Sequence, residues 1–291
     1  MGLKTKISID DDSLFSTASE ERKEEKLKKM EEDRISKQNA TKTLDETPEE
    51  EMLLDRKVVC KLCDKQITYK SPKTSKVRRL EAGPDLRPVA KGIDTLKYEV
   101  ISCPYCGYSA MTRYYENISM VQLKMIKEQV TNNFEPEDPW SEPTYSYDYA
   151  IDRYNLALVN AVAKKGKISE RAYICLNLSW LLRAKAEEIG PAAPEYTETC
   201  ADAEKFYRQA YDGFVKAMSS EYFPMCGMDQ YTLEYLLAYM AYYFDEVQTS
   251  AKLISGLITN KNVTKRLKDR AIDLKEQMMD DIKSGKIKLK K

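Results

Sequence analysis

Four cysteines in two pairs are the residues whose type and spacing offer chemistry. Two residues separate Cys60 from Cys63 in VVCKLCDKQITYK, and Cys103 and Cys106 repeat that spacing in VISCPYCGYSA. Two such pairs, with 39 residues between them, can place four sulfur atoms tetrahedrally around one metal ion. Neither pair leaves a ligand position open, so we expect a closed structural site.

Zinc is the expected ion, because tetrahedral sites built from four thiolates in a reducing compartment favour it. Iron is the alternative, since the second pair also resembles the knuckle of rubredoxins. A thiol redox sensor is a further alternative. A thioredoxin-like pair should however open a helix beside a strand, whereas these pairs lie between short strand-like runs.

The absence of histidine excludes several kinds of active site. Among the 291 residues there is no histidine, so no Ser-His-Asp triad, Cys-His pair or imidazole metal ligand can form. The carboxylates are numerous, but no pair stands out in an apolar setting. We therefore expect that the protein is not an enzyme.

Charge and targeting signals indicate the cytoplasm. Basic and acidic residues balance at 47 each, which gives no net field that would recruit nucleic acid or an anionic membrane. No signal peptide is recognisable at the polar N-terminus, and no apolar run is long enough to span a bilayer. In this reducing compartment the seven cysteines are interpreted as metal ligands or buried thiols.

The elements that must position the cysteines divide the chain into three predicted regions. Residues 1–56 form a charged leader, flexible or helical. Residues 57–110 form a zinc-ribbon-like domain, in which the runs KVVC, QITYK and KYEVISC read as short strands and residues 71–92 as a long loop. Residues 111–291 form a helical domain, with helices predicted near 116–132, 145–164, 168–189, 198–219, 229–245, 247–260 and 263–284.

A degenerate repeat indicates how these helices pack. The spacing typical of the second helix of a TPR unit occurs twice, in Ala150, Tyr154 and Ala157 and again in Ala210, Phe214 and Ala217. A third unit begins near Tyr235 and departs from the pattern at Tyr239 and Ser255. The predicted fold class is mainly α, a TPR-like right-handed solenoid of helical hairpins behind a small N-terminal β zinc ribbon.

Two further sets of residues are candidates for binding. Ten basic and five acidic residues lie between positions 60 and 110, and Lys73, Lys76, Arg78 and Arg79 could contact phosphates. The tyrosines Tyr231, Tyr235, Tyr239 and Tyr242 could line a groove for a peptide or partner protein. The alternative interpretations are a solvated loop for the first set and interhelix packing for the second.

The segments VVCKLCDKQITYK, AKGIDTLKYEVISCPYCGYSA and LNLSWLLRAKAEE together resemble a bacterial family described as a domain of unknown function. The resemblance covers roughly residues 57–285. It implies a zinc-ribbon head joined to a TPR-like body, with Cys60, Cys63, Cys103 and Cys106 as metal ligands, and it implies no catalytic residue. The leading hypothesis is a metal-stabilised scaffold that binds an unidentified protein or peptide; a nucleic-acid-binding regulator is the alternative.

Overall fold

The structure is a computed structural model that describes residues 47–286. The predicted charged leader lies outside the described residues up to residue 46, and so do residues 287–291 at the end of the predicted helical domain. The described end of the predicted leader is structured, since Glu49–Met52 form a 3-10 turn that leads into the first strand.

Two short antiparallel hairpins carry the cysteine pairs. Strand β1 (Leu53–Val59) pairs with β2 (Gln66–Pro72), with Val59 opposite Gln66. Strand β3 (Val100–Ser102) pairs with β4 (Ser109–Met111), with Ser102 opposite Ser109. Each cysteine pair occupies the turn of one hairpin. The three predicted strands are confirmed, and β4, which the sequence did not suggest, completes the second hairpin.

The rest of the described chain is helical. Most helices lie within a few residues of the predicted spans. The helix predicted near 116–132 begins later than expected, at Met120, because Ser119 and Gln122 form a capping box that fixes its first turn. The helices are α1 (Thr112–Tyr115), α2 (Met120–Gln129), α3 (Tyr147–Ala163), α4 (Ile168–Ile189), α5 (Tyr196–Met218), α6 (Gln230–Tyr243), α7 (Val247–Thr259) and α8 (Lys265–Lys283). The mainly helical class with small antiparallel sheets is thus confirmed.

Helices that follow one another along the chain pack together. The contact of α4 with α5 is the most extensive, followed by those of α6 with α7 and of α3 with α4. Gly213 permits a close approach of α4 and α5, because a Cβ atom there would lie 2.8 Å from the Cβ of Ala172. The six residues of the two repeat matches are all buried: Ala150, Tyr154, Ala157, Ala210, Phe214 and Ala217.

The long loop between the hairpins is fixed to the helices by polar contacts. The buried carboxylate of Asp85 accepts hydrogen bonds from Trp180, at 2.7 Å, and from Arg183 of α4. From α8, Arg270 donates to the carbonyl oxygens of Ala82 and Gly83 at 2.9 Å each. The loop is therefore held at both α4 and α8.

Among the helices of residues 47–286, none combines the length and the apolar character that crossing a bilayer requires.

Candidate metal centre

The first cysteine pair lies in the turn between β1 and β2. The backbone N–H of Cys60 donates to the carbonyl of Lys65 at 2.9 Å, and the N–H of Asp64 donates to the carbonyl of Cys60 at 2.9 Å. Asp64 has a φ of 58°, in the left-handed region that aspartate tolerates better than most residues other than glycine. The chain thereby reverses just after Cys63.

The second pair repeats this arrangement between β3 and β4. The N–H of Cys103 donates to the carbonyl of Tyr108 at 2.8 Å, and the N–H of Gly107 donates to the carbonyl of Cys103 at 3.0 Å. Gly107 has a φ of 73°. A Cβ atom at this position would also lie 2.6 Å from the ring of Phe134, so both backbone angle and space require glycine.

The two turns bring the four sulfur atoms together. The Sγ atoms of Cys60 and Cys106 are 3.6 Å apart, as are those of Cys63 and Cys103, and all four lie within 4.8 Å of one another. A disulfide would need about 2.0 Å, and the four cysteines are free. Four Zn–S bonds of about 2.3 Å in a tetrahedron place sulfur atoms about 3.8 Å apart. The cluster therefore fits one metal ion with four thiolate ligands.

The cluster is enclosed by apolar side chains. Cys60 and Cys103 are fully buried, Cys106 is 3% exposed, and Cys63 is half-buried. The surrounding core joins both hairpins to the first three helices through Ile67, Ile101, Tyr108, Tyr115, Ile126, Val130 and Ala163. An ion held here would be shielded from water and from substrate, as in a structural site.

Hydrogen bonds from outside the hairpins hold the second turn in place. Asn160 of α3 donates from Nδ2 to the carbonyl of Gly107 at 2.9 Å, and the hydroxyl of Thr131 donates to the carbonyl of Cys106 at 2.8 Å. The N–H of Glu137 donates to the carbonyl of Pro104 at 2.9 Å. Residues beyond the second hairpin thus contact three backbone carbonyls of its turn, those of Pro104, Cys106 and Gly107.

The close sulfur atoms affect one another's ionisation. Hydrogen bonds from the thiols of Cys103 and Cys106 lower the pKa of Cys60 to about 2, because they stabilise its thiolate. The shared hydrogen bonds with Cys103 and Cys60, together with burial, raise the pKa of Cys106. One thiolate forms readily, while a neighbouring thiol keeps its proton. A bound cation favours the thiolate of every ligand and displaces such protons.

The predicted phosphate-contacting residues lie on the loop that follows β2. Lys73 donates to the backbone carbonyl of Glu51 at 2.9 Å, and Lys76 forms an ion pair with the Glu51 carboxylate at 3.3 Å. Arg78 and Arg79 are exposed. Two of the four cations are therefore engaged within the protein, and a nucleic-acid-binding role of the set stays a prediction.

The predicted partner-binding tyrosines lie on α6. Tyr235, Tyr239 and Tyr242 are buried, whereas Tyr231 is half-buried. The hydroxyl of Tyr235 donates to the carbonyl of Pro84 at 2.8 Å, and that of Tyr242 donates to Asp281. Three of the four side chains thus make interior contacts, and partner binding by this set stays a prediction.

Sequence reasoning missed three residues that support the cluster. Asp64 was not recognised as the counterpart of Gly107, although aligning the two pairs places both one residue after the second cysteine. Asn160 and Thr131 carried no local signal, because a residue that contacts a distant carbonyl has no characteristic spacing. Outside the cluster, Cys175 and Cys226 are buried as expected, and Cys200 is half-buried.

The fold and the cluster define a mainly helical protein with a four-cysteine site that could hold a metal ion. The model of the family described as "Uncharacterized protein conserved in bacteria (DUF2225)" matches residues 53–278, and the chain belongs to this family. The match contains both cysteine pairs and confirms the bacterial family that the sequence resembles. No curated protein matches the chain, and no solved structure does.

Proposed function

We propose that the protein is a non-enzymatic scaffold of the cytoplasm, stabilised by zinc, that binds a protein or peptide on its helical part. The observation that carries this proposal is the enclosed cluster of Cys60, Cys63, Cys103 and Cys106, whose sulfur atoms lie within 4.8 Å of one another. All four positions of a tetrahedral ion are supplied by the chain, so none is left for a substrate. Free thiols in this number fit a reducing compartment.

Zinc is favoured over iron because four thiolates, three of them buried, supply a soft tetrahedral site with no need for electron transfer. Such an ion stabilises small domains by about 10–16 kcal/mol of apparent binding free energy. Each hairpin here has only two strands, which are marginal in water on their own. The ion would therefore join two elements that contribute little core of their own.

Metal analysis of the purified full-length protein tests this assignment. We expect about one zinc ion per chain, and loss of that zinc in Cys60→Ser and in Cys103→Ser. Cys175→Ser is the matched control, because Cys175 is a buried free cysteine outside the cluster, and this variant should keep its zinc. If the purified protein is red and contains iron, the rubredoxin-like iron site replaces zinc as the assignment. A protein without metal that forms reversible disulfides at the cluster would favour the redox sensor.

A TPR-like solenoid is the arrangement we propose for the helices. It is supported by the burial of both repeat matches and by the close approach of α4 and α5 at Gly213. Stacked helical hairpins of this kind bury a shared core and leave an extended concave face for a peptide. Small-angle scattering of the full chain, compared with the profile expected for a curved solenoid, tests the arrangement.

Partner binding can be tested at Tyr231, the accessible member of the predicted tyrosines. We expect a specific protein to be captured from a bacterial lysate by the native chain and to be lost with Tyr231→Ala. Tyr222→Ala is the control, because Tyr222 is 93% exposed and lies outside the helices. If the native chain captures no specific protein, or if both variants behave alike, partner binding through this face is wrong.

A nucleic-acid-binding regulator is a second candidate, favoured by the exposure of Arg78 and Arg79. Within residues 47–286, neither guanidinium forms an ion pair, so both are available for phosphates. This function predicts salt-dependent binding that Arg78→Ala with Arg79→Ala removes, while Lys76→Ala, which loses a side chain already paired with Glu51, changes less. Negligible binding of DNA and RNA at low salt would exclude it.

A further inference from the structure

A cavity of about 110 Å³ lies beside the cysteine cluster. One wall is formed by β2 and by the second cysteine turn, which contribute Tyr69 and Tyr105. The other wall is formed by Trp140 and by the start of α3, including Tyr149 and Arg153. The indole of Trp140 and the ring of Tyr149 are stacked, with centroids 4.0 Å apart. The lining thus combines aromatic rings on both walls with one cation and the polar side chains of Gln66, Thr68 and Ser102.

The cation, Arg153, is buried without a matching acid. Arg153 is 5% exposed, and one terminal nitrogen of its guanidinium donates to the carbonyl of Val100. The guanidinium carbon lies 4.5 Å from the ring centre of Tyr145 and 5.2 Å from that of Tyr149. Within the described part of the chain, its Nε and Nη1 atoms have no hydrogen-bond acceptor. No carboxylate of residues 47–286 forms an ion pair with Arg153 at 4.0 Å or less.

A buried charge in a folded protein normally has a partner of opposite charge, because removal from water is costly without one. The single carbonyl and two ring faces around Arg153 compensate its charge only in part. The Nε and Nη1 atoms together carry three N–H bonds that lack an acceptor among the described residues. An anion that enters the adjacent cavity would supply the missing charge.

The lining also limits the type of anion. A phosphate carries more charge than one guanidinium balances and needs several donors, whereas a carboxylate carries a single charge and two acceptor oxygens. The aromatic walls favour an apolar carbon chain behind the charged group. The cavity is smaller than the roughly 150 Å³ of cavities that bind benzene, so the enclosed part of a ligand must be small.

We propose that this cavity binds a carboxylate group that carries a short apolar stem, with Arg153 as the anion-binding residue and Trp140 as the contact for the stem. The carboxylate belongs either to a small free acid or to the C-terminus of a polypeptide. Both present the same chemistry to Arg153, and they differ in what extends beyond the cavity mouth. The site does not depend on the partner surface proposed on α6.

Titration of the full-length protein with sodium propionate tests the site, with propionamide as the uncharged ligand of the same shape. Intrinsic fluorescence reports binding, because Trp140 lines the cavity, and Trp140→Phe should remove the signal. We expect saturable binding of propionate that is at least about tenfold tighter than that of propionamide, as the loss of charged hydrogen bonds implies. Equal affinity for propionate and propionamide overturns the proposal.

A pair of short peptides separates the two sources of the carboxylate. One peptide ends in a free alanine carboxylate and the other in the corresponding amide. Tighter binding of the free peptide than of propionate assigns the site to chain termini, whereas binding of propionate alone assigns it to free acids. Each outcome supports carboxylate recognition, and failure of both ligands contradicts it.

Variants of Arg153 locate the binding. Arg153→Gln should reduce propionate affinity at least about tenfold, and Arg153→Lys should retain part of it. Arg113→Gln is the matched control, because Arg113 also contacts a tyrosine ring and donates to a backbone carbonyl but does not line the cavity. Unchanged affinity in a folded Arg153→Gln protein would overturn the assignment. If that variant does not fold, the comparison of propionate with propionamide on the native protein decides.

Discussion

Asp64 and Gly107 occupy the same position in the two cysteine turns. Each follows the second cysteine of its pair directly, each has a positive φ, of 58° and 73°, and each donates its N–H to the carbonyl of the first cysteine, at 2.9 and 3.0 Å. The two turns are thus local copies of one backbone conformation. They differ in that Gly107 faces the ring of Phe134 and Asp64 carries a side chain.

Gly107→Ala should destabilise the protein and weaken its metal binding. The new methyl group would meet Phe134 at 2.6 Å, and alanine in a left-handed conformation costs about 1–2 kcal/mol. We expect a total loss of about 2–4 kcal/mol in urea unfolding. Adding Phe134→Ala should remove the effect of the clash and leave that of the backbone. If Gly107→Ala costs as much stability in the Phe134→Ala protein as in the native protein, Phe134 does not limit the space.

Asp64→Gly should be tolerated or slightly stabilising. Glycine adopts the φ of 58° without the steric cost that a side chain adds, although it loses more backbone entropy on folding. The net change is expected to stay within about 1 kcal/mol. Asp64→Val should instead destabilise the turn, because a β-branched residue strongly disfavours positive φ. Thermal unfolding of both variants measures the difference, and a valine variant as stable as the glycine one would contradict the shared conformation.

Asn160→Leu should lower both stability and metal affinity. The substitution removes the hydrogen bond to the Gly107 carbonyl and leaves a buried acceptor unpaired, which costs about 1–3 kcal/mol. Asn177→Leu is the control, since Asn177 is equally buried but donates within its own helix to Tyr173. Competition with a chelating dye should show weaker zinc binding for Asn160→Leu alone. Equal weakening in both variants would indicate a general effect of stability.

Removal of the metal should loosen the contact between the hairpins and α3. Without an ion, the four sulfur atoms lose the common partner that would join the two turns, and the thiols that remain form only weak hydrogen bonds with one another. We expect chelator treatment to lower the unfolding temperature and to speed hydrogen exchange at Cys103 and Gly107. Exchange in α4 and α5 should change little, and uniform acceleration across the chain would contradict a local role.

Stability should fall at low pH through Asp85. Burial alone would raise the pKa of Asp85, but Arg183 and the hydrogen bond from Trp180 outweigh it and keep the pKa below its usual value. The ionised group therefore stabilises the fold above the unfolded pKa of about 3.9, and this contribution is lost as the pH falls through the lower folded value.

Asp85→Asn measures this contribution. At pH 7 the variant should lose about 3–5 kcal/mol, because Arg183 is left without its carboxylate. As the pH falls below about 4, the native protein should lose stability and approach the variant in urea unfolding. A constant difference between the two proteins from pH 7 to pH 3 would show that the ionisation of Asp85 does not contribute.

The sequence allowed the cluster to be predicted because its determinants are local. A spacing of two residues between Cys60 and Cys63, and again in the second pair, already restricts where the sulfur atoms can lie, and the turn after Cys106 needs the glycine that stands there. Most helix bounds were predictable to within a few residues for the same reason. The start of α2 was not, because the capping box of Ser119 and Gln122 sets it at Met120.

Contacts between distant segments could not be predicted in this way. The sequence indicates that Lys73 and Lys76 are available for phosphates, whereas the fold places Glu51 beside both side chains. The sequence places Tyr235 in a binding groove, whereas in the structure its hydroxyl donates to the Pro84 carbonyl. The burial of Arg153 could have been predicted, because it lies three residues after Ala150 and four before Ala157, on the buried face of its helix.

The attachment of the loop to α4 and α8 sets an order of events during synthesis. Asp85 can accept its hydrogen bond only after Trp180, 95 residues later, has been synthesised. The carbonyl of Gly83 can do so only after Arg270, 187 residues later. Both cysteine pairs have left the ribosome well before either helix does, because domains emerge N-terminal end first. The cysteine cluster can thus form, and could bind a metal ion, early in synthesis, whereas the loop can close over the helices only when the last helix is complete.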